Sequence, residues 1–222
     1  MLVLSLELIR RLLSVYRGVR SGISYIKNTE TVCPLTGVKS YEGEFRKSAD
    51  EKAITVAVKA FPMNKYPDSR LVHTKVQELG EMPHIGKIYG TEVEGGVLFV
   101  ATVPPQATLA SHIEKFHTCP ATGEDFCSAL IQSLEVLHGA NIANKNIRPE
   151  HIVLDGCNVQ LADFSGAKAY ESDAGSPTDF IIDKHMLACT ILYTLSGGLD
   201  ADGDLVRKTL SWPRSWANFS IL

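Results

Sequence analysis

No C-x-x-C pair occurs in this 222-residue chain, and its five cysteines (Cys33, Cys119, Cys127, Cys157 and Cys189) are scattered. An odd, unpatterned set excludes a disulfide framework and points to reduced thiols, so a cytoplasmic location is expected. One zinc set can be assembled from His112, His117, Cys119 and Cys127, yet its spacing matches no common zinc pattern. Nor is there a surplus of one charge: 22 Lys and Arg stand against 25 Asp and Glu, a net charge of -3. That balance removes the electrostatic case for a nucleic-acid partner. Long apolar runs are missing too. The leucine-rich start, Met1 to Leu13, is broken by Glu7, Arg10 and Arg11, far short of the roughly 20 apolar residues of a transmembrane segment. Its arginines also follow the apolar residues, whereas a signal peptide carries its positive charge first.

The residues that are present describe a globular chain. Hydrophobic residues make up 45% and charged residues 21%, which excludes collagenous, disordered and coiled-coil classes. Residues 1–24 predict an N-terminal amphipathic helix, with Leu2, Leu6, Ile9, Leu13 and Tyr16 at helical spacing beside Leu4, Leu8, Leu12, Val15 and Val19. Such a helix packs on the domain's own surface, or else serves a partner helix or a membrane surface. Residues 25–103 read mostly as strand: Ile54 to Val58 is a β-branched run, and Gly95-Gly96 separates two short apolar strands as a hairpin turn would. Ser69 to Glu81 has helical spacing within that half. Beyond Pro104-Pro105 the character changes over residues 104–222. Phe126, Leu130, Ile131, Leu134 and Leu137 mark a helix closed by Gly139, Ile152–Leu154 and Val159–Leu161 bracket a turn, and a last helix runs from Asp183 to about Leu195. A strand-rich half and a helical half joined at a proline hinge predict two lobes meeting at a cleft.

Four segments inside this frame carry chemistry. Val56-Ala-Val-Lys59 sits on a strand, Asn144-Lys-Asn-Ile-Arg-Pro-Glu-His151 follows the long helix, Ala162-Asp-Phe-Ser165 follows the second hairpin, and Asp183-Lys-His-Met-Leu-Ala-Cys189 opens the last helix. In this order they resemble the protein-kinase fold: the strand lysine, the catalytic loop, the metal-binding D-F-G and the late helix. Closer likeness is to the inositol-requiring kinase–endoribonucleases of the unfolded-protein response. It rests on His84-Ile-Gly-Lys-Ile-Tyr-Gly-Thr-Glu92, Ala107-Thr-Leu109 and Ile191-Leu-Tyr-Thr-Leu-Ser-Gly-Gly198. The similarity runs from about Tyr41 to Asp204 and carries no ribonuclease activity over. The fold class it implies is α+β, a bilobal protein-kinase-like fold with a strand-rich N-lobe and a helical C-lobe truncated after the Asp183 helix.

The resemblance also says where the chemistry departs. Lys59 falls at the phosphate-holding lysine, and Lys75 stands where its glutamate partner belongs, with Glu78 one turn on as the substitute. The catalytic base position holds Asn146, whose neutral amide cannot accept a proton. Removing a positioned base typically costs about 10²–10⁴-fold in rate. Arg148 replaces the loop lysine, keeping the charge but changing a compact donor into a planar fork. Asp163 and His151 fall at the two metal positions, though imidazole suits Mg²⁺ poorly. No G-x-G-x-x-G precedes Lys59; Gly37 and Gly43 stand apart with bulky residues between them. Val103-Pro104-Pro105 takes the place of the segment that donates to adenine, and proline has no N–H to donate. Ser176-Pro177 reads as a turn, with a phosphosite as the other reading.

ATP and Mg²⁺, the cofactors the resemblance implies, are therefore expected to be held weakly or not at all. The leading expectation is a pseudokinase that regulates through a protein partner. The alternatives are a weak ATP-dependent serine/threonine kinase and a truncated kinase-derived product without independent function.

Overall fold

A computed structural model describes residues 15–16, 22–33, 36–48, 50–104, 107–116, 123–155, 158–171 and 176–195. The helix expected over Met1 to Leu13 lies outside them. Val15 and Tyr16, which helical spacing had placed in that helix, instead form strand β1 (Val15–Tyr16), paired with Ile26 and Tyr25 of β2 (Ile23–Ile26). A single 3-10 turn then leads to β3 (Thr31–Val32), β4 (Lys39–Phe45) and β5 (Ile54–Pro62). Helix α1 (Ser69–Glu78) follows, and β6 (Ile88–Glu94) and β7 (Val97–Thr102) complete the strand-rich lobe.

These strands form one antiparallel sheet in the order β1-β2-β4-β5-β7-β6, with β3 added to β4. Strand β5 is central, and Val56, Ala57, Val58, Ala60 and Phe61 are all buried. Its β-branched residues pack on both faces, which is why the run reads as continuous rather than alternating. The β6–β7 hairpin turns at Gly95 and Gly96, with φ of 56° and 79°. Both angles lie in the left-handed region that glycine enters without a Cβ clash.

Helix α1 buries Ser69, Val72, His73 and Val76 along one face against this sheet. The helical lobe begins with α2 (Leu109–Phe116), which the sequence reading did not anticipate. Its start is marked by a reciprocal cap: the Ser111 N–H donates to Thr108 Oγ1 at 3.3 Å and the Thr108 N–H to Ser111 Oγ at 3.0 Å. Helix α3 (Gly123–Gly139) buries Phe126, Leu130, Leu134 and Leu137, while Ile131 faces outward. Strands β8 (Ile142–Ala143), β9 (Ile152–Asp155), β10 (Asn158–Leu161) and β11 (Lys168–Ala169) make two small ribbons, β9 with β10 and β8 with β11.

Helix α4 (Pro177–Leu195) starts earlier than expected, so Asp183 lies inside it rather than at its opening. Ser176-Pro177 is the helix start, not a free turn. The Asp179 N–H donates to Ser176 Oγ at 3.4 Å, and the missing N–H of Pro177 falls where a helix needs none. None of the described helices is long and apolar enough to cross a membrane.

One apolar cluster joins the lobes, running from Phe61, Val76 and Leu98 through Phe164 to Phe126, Leu137 and Ile147. The seam is tight at Gly86, whose N–H donates to the Leu161 carbonyl at 2.9 Å. A Cβ there would stand 2.8 Å from that of Ala162, so only glycine lets these segments approach so closely. The architecture is α+β: a curled, strand-rich lobe on a helical one.

Candidate functional site

A cavity of about 360 Å³ opens between the lobes, with Val38, Ala57, Val103 and Val153 among its walls and Lys59 and Asp163 at its polar end. Sheet pairing fixes the first of these two: Lys59 lies on β5 between Ser40 of β4 and Val100 of β7. The β9–β10 hairpin delivers the second. Lys59 Nζ approaches Asp163 Oδ1 at 3.5 Å, with both side chains mostly shielded. Burial pushes the Asp163 carboxyl up, but the Lys59 ammonium and the Ser165 N–H (2.8 Å to Oδ1) outweigh it. They hold the carboxyl well below its usual range. It stays ionised at any ordinary pH.

The loop from Asn144 to His151 is held in shape by Asp183. The buried Asn144 and Lys145 N–H groups donate to Asp183 Oδ2 and Oδ1 at 2.7 and 2.6 Å, and His138 Nε2 also reaches Oδ2 at 3.0 Å. This carboxylate holds Lys145 at a φ of 58°, a left-handed conformation that needs such support in a non-glycine residue. Lys145 Nζ adds a pair with Asp179 at 3.1 Å. Asn146 is 4% exposed and enclosed by its surroundings. Its N–H donates to Asn144 Oδ1 at 3.0 Å, its side-chain Nδ2 donates to Ser165 Oγ at 3.5 Å, and its carbonyl accepts from His151 Nδ1 at 2.9 Å. Arg148 caps the short 3-10 turn Pro149–His151, and burial lowers its guanidinium's pKa.

Helix α1 corrects one expectation. Lys75 does not oppose Lys59. It reaches the other way, donating to the carbonyls of Tyr170 at 2.7 Å and Ala140 at 3.3 Å. Glu78 is exposed and offers no substitute. The residue that α1 places behind Lys59 and Asp163 is His73, 2% exposed, its ring 4.7 Å from that of Phe61 and 6.4 Å from that of Phe164. Burial, which outweighs the hydrogen bond to the Ser69 carbonyl, lowers its pKa to about 4, so the ring is neutral at pH 7.

Ahead of Lys59, the described residues Cys33, Thr36, Gly37 and Val38 bond to one another. The Cys33 N–H donates to the Val38 carbonyl (2.9 Å), the Gly37 N–H to the Cys33 carbonyl (2.7 Å) and the Val38 N–H to Thr36 Oγ1 (3.4 Å). Three donors that an anion could use are thus occupied. At the hinge, Pro104 has no N–H at all. For Mg²⁺ the donor set fits poorly: of Asp163 and His151 only the carboxylate offers oxygen, and Mg²⁺ demands an oxygen octahedron. A different convergence emerges among the described residues. Cys33, His151 and Asp163 each bring one ligand atom within 4.8 Å of the others. The zinc set built on spacing, by contrast, includes His117 and Cys119, which lie outside the described residues.

No protein-family profile matches the chain. It is 29% identical over 98 residues to the serine/threonine-protein kinase PKH2 of Saccharomyces cerevisiae, covering 43% of this chain and 9% of the relative. Serine/threonine-protein kinase ppk21 of Schizosaccharomyces pombe is 27% identical over 128 residues, 55% of this chain and 23% of the relative. For serine/threonine-protein kinase PDK1 of Cryptococcus neoformans the identity is 30% over 94 residues, 41% and 8%. The chain is protein-kinase-like. It spans less than a quarter of the length of each of these relatives.

In this kinase-like cleft, Lys59, the loop residues Asn146 and His151, and Asp163 converge from three separate segments, and Lys75 turns away from them. Cys33 and His73 belong to the same neighbourhood; the resemblance sets Cys33 to Lys39 in the phosphate-loop region but gives Cys33 no role, and it does not single out His73. Cys33 was one of five unpatterned thiols. His73 sat on a helix face whose rotation follows from Ser69, Val72 and Val76 being buried together, a signal present in the spacing of α1.

Proposed function

We propose that this chain is a pseudokinase, a kinase-like module that binds and regulates a protein partner rather than transferring phosphate. The observation that carries this reading is Asn146. It occupies the position of the base with an amide, and its backbone and side chain are bound into Asn144, Ser165 and His151. The self-bonded loop from Cys33 to Val38 and the proline at the hinge support weak or absent ATP binding. A lost bond to a buried ring nitrogen costs about 1–3 kcal/mol, one to two decades of affinity.

A second reading, a weak serine/threonine kinase, draws on the Lys59–Asp163 pair and on similarity to kinases of that type. Within the superfamily, likeness to the inositol-requiring-enzyme group rests partly on Ile191 to Leu195, which lie on α4.

A thermal shift with Mg-ATP separates these readings. The pseudokinase gives a shift near zero, and radiolabel transfer from ATP stays at background. A clear stabilisation with transfer that disappears in Asp163→Ala would establish the weak kinase instead. Proteomic capture is secondary to that result, because partner identity depends on surfaces rather than on the cleft.

A further inference from the structure

We propose that Cys33, His151 and Asp163 form a binding site for a zinc-type transition-metal cation, independent of any nucleotide. It goes beyond the pseudokinase reading and stands whether or not ATP binds. Their donor atoms, a thiol sulfur, an imidazole nitrogen and a carboxylate oxygen, lie within 4.8 Å of one another. That is a borderline-soft donor set of the kind zinc takes and Mg²⁺ declines.

Two local features orient the set. His151 is 6% exposed, and its Nδ1–H donates to the Asn146 carbonyl at 2.9 Å, which turns the Nε2 lone pair toward Asp163. A backbone carbonyl on the far ring nitrogen is the usual outer-shell support of a metal-bound histidine. In that tautomer Nε2 and Asp163 Oδ2 are two acceptors facing each other at 3.5 Å, too long for an ordinary hydrogen bond. Two ligands of a tetrahedral zinc ion, with bonds of about 2.0–2.2 Å, stand about 3.4 Å apart. The spacing fits a shared cation.

The electrostatic surroundings are mixed, and both signs matter. Lys59 engages Asp163 Oδ1 and leaves Oδ2 for the ion. Arg148 lies close enough to feel both Cys33 and Asp163. As a zinc ligand Cys33 binds through its thiolate, the thiol proton leaving to solvent as the metal is taken up. A thiolate and a carboxylate neutralise a divalent ion, and the neutral imidazole completes three ligands. All three residues line the cavity, so a fourth position faces it and takes water or a small anion. Because Cys33 comes from the β3–β4 loop and the other two from the helical lobe, the ion ties the lobes together.

The test uses the full chain, stripped with chelator and titrated with Co²⁺ and Zn²⁺ without nucleotide. The expected result is one equivalent of Co²⁺ with a thiolate-to-cobalt charge-transfer band, displaced by Zn²⁺ but not by excess Mg²⁺. Cys33→Ser removes the band, and His151→Gln weakens binding by at least about 100-fold. Circular dichroism checks that both variants fold. Should either unfold, zinc-edge X-ray absorption of the parent decides, with one sulfur at about 2.3 Å and nitrogen or oxygen at about 2.0–2.2 Å as the supporting shell. Absence of the band, its survival in Cys33→Ser, or a shell with no sulfur or more than one overturns the proposal.

Discussion

The Lys59–Asp163 pair and the Asn144–Asn146 loop lie side by side, and they have kept opposite things. At the pair, the charged groups remain, and their mutual attraction holds a buried carboxylate ionised. In the loop, the side chains at 144 and 146 are neutral amides, and the backbone path is held because Asp183 receives the N–H groups of Asn144 and Lys145. Geometry and reactivity are thus separable. A buried carboxylate that serves the backbone can hold a loop whatever chemistry the loop's own side chains carry.

The largest effect that this contrast predicts belongs to Asp183. Its carboxylate is fully buried, and Asp183→Ala strands two backbone donors while releasing Lys145 from its left-handed conformation. Urea unfolding should show a loss of about 3–5 kcal/mol; a loss below about 1 kcal/mol would mean that the loop is held by something else. His73 comes next. An unfolded histidine takes its proton near 6.5, whereas the folded one resists until about 4. Stability is therefore complete above pH 6.5 and falls as the pH drops toward 4, by up to about 3 kcal/mol. His73→Leu should flatten that slope in pH-dependent melting curves.

Lys59→Met sharpens the pair itself. It leaves Asp163 buried without its ammonium and should cost about 2 kcal/mol at neutral pH. The sign of its pH dependence follows from the depressed carboxyl. Parent stability from this group is present above the usual value of 3.8 and is lost only as pH falls through the much lower folded value. In the variant, protonation relieves the unpaired charge at higher pH, so the gap to the parent narrows on acidification. The smallest expected effect is Asn146→Asp. Radiolabel transfer should stay at background, because the Cys33–Val38 loop still spends its donors on itself; turnover in this single variant would show that the loop can open over phosphate.

Much of the frame was legible in the residues. The β-branched run of β5, the Gly95-Gly96 turn, the leucine spacing of α3 and the β9–β10 hairpin each follow from local chemistry and fell where expected. Local chemistry misled at Val15-Tyr16, whose apolar spacing fits a helix but whose partners lie on β2. It also misplaced the start of α4, since Ser-Pro is a turn signal and a helix start alike. The site was less legible. Lys59, Asn146, His151 and Asp163 could be named from their motifs, whereas the direction of Lys75 depends on carbonyls contributed by Ala140 and Tyr170. The segment opening at Cys33 could be set near the cleft by its place ahead of Lys59, but the approach of its thiol to His151 and Asp163 comes from the fold, which no spacing along the chain encodes.

That reach of Lys75 anchors α1 to the other half of the molecule. An ammonium straddling two main-chain oxygens works as a tether, and swinging the helix outward would leave those oxygens and the cation to find water. The fastening is to Ala140 and Tyr170, neither of which lines the cavity, so a molecule filling the cavity would not compete for those oxygens.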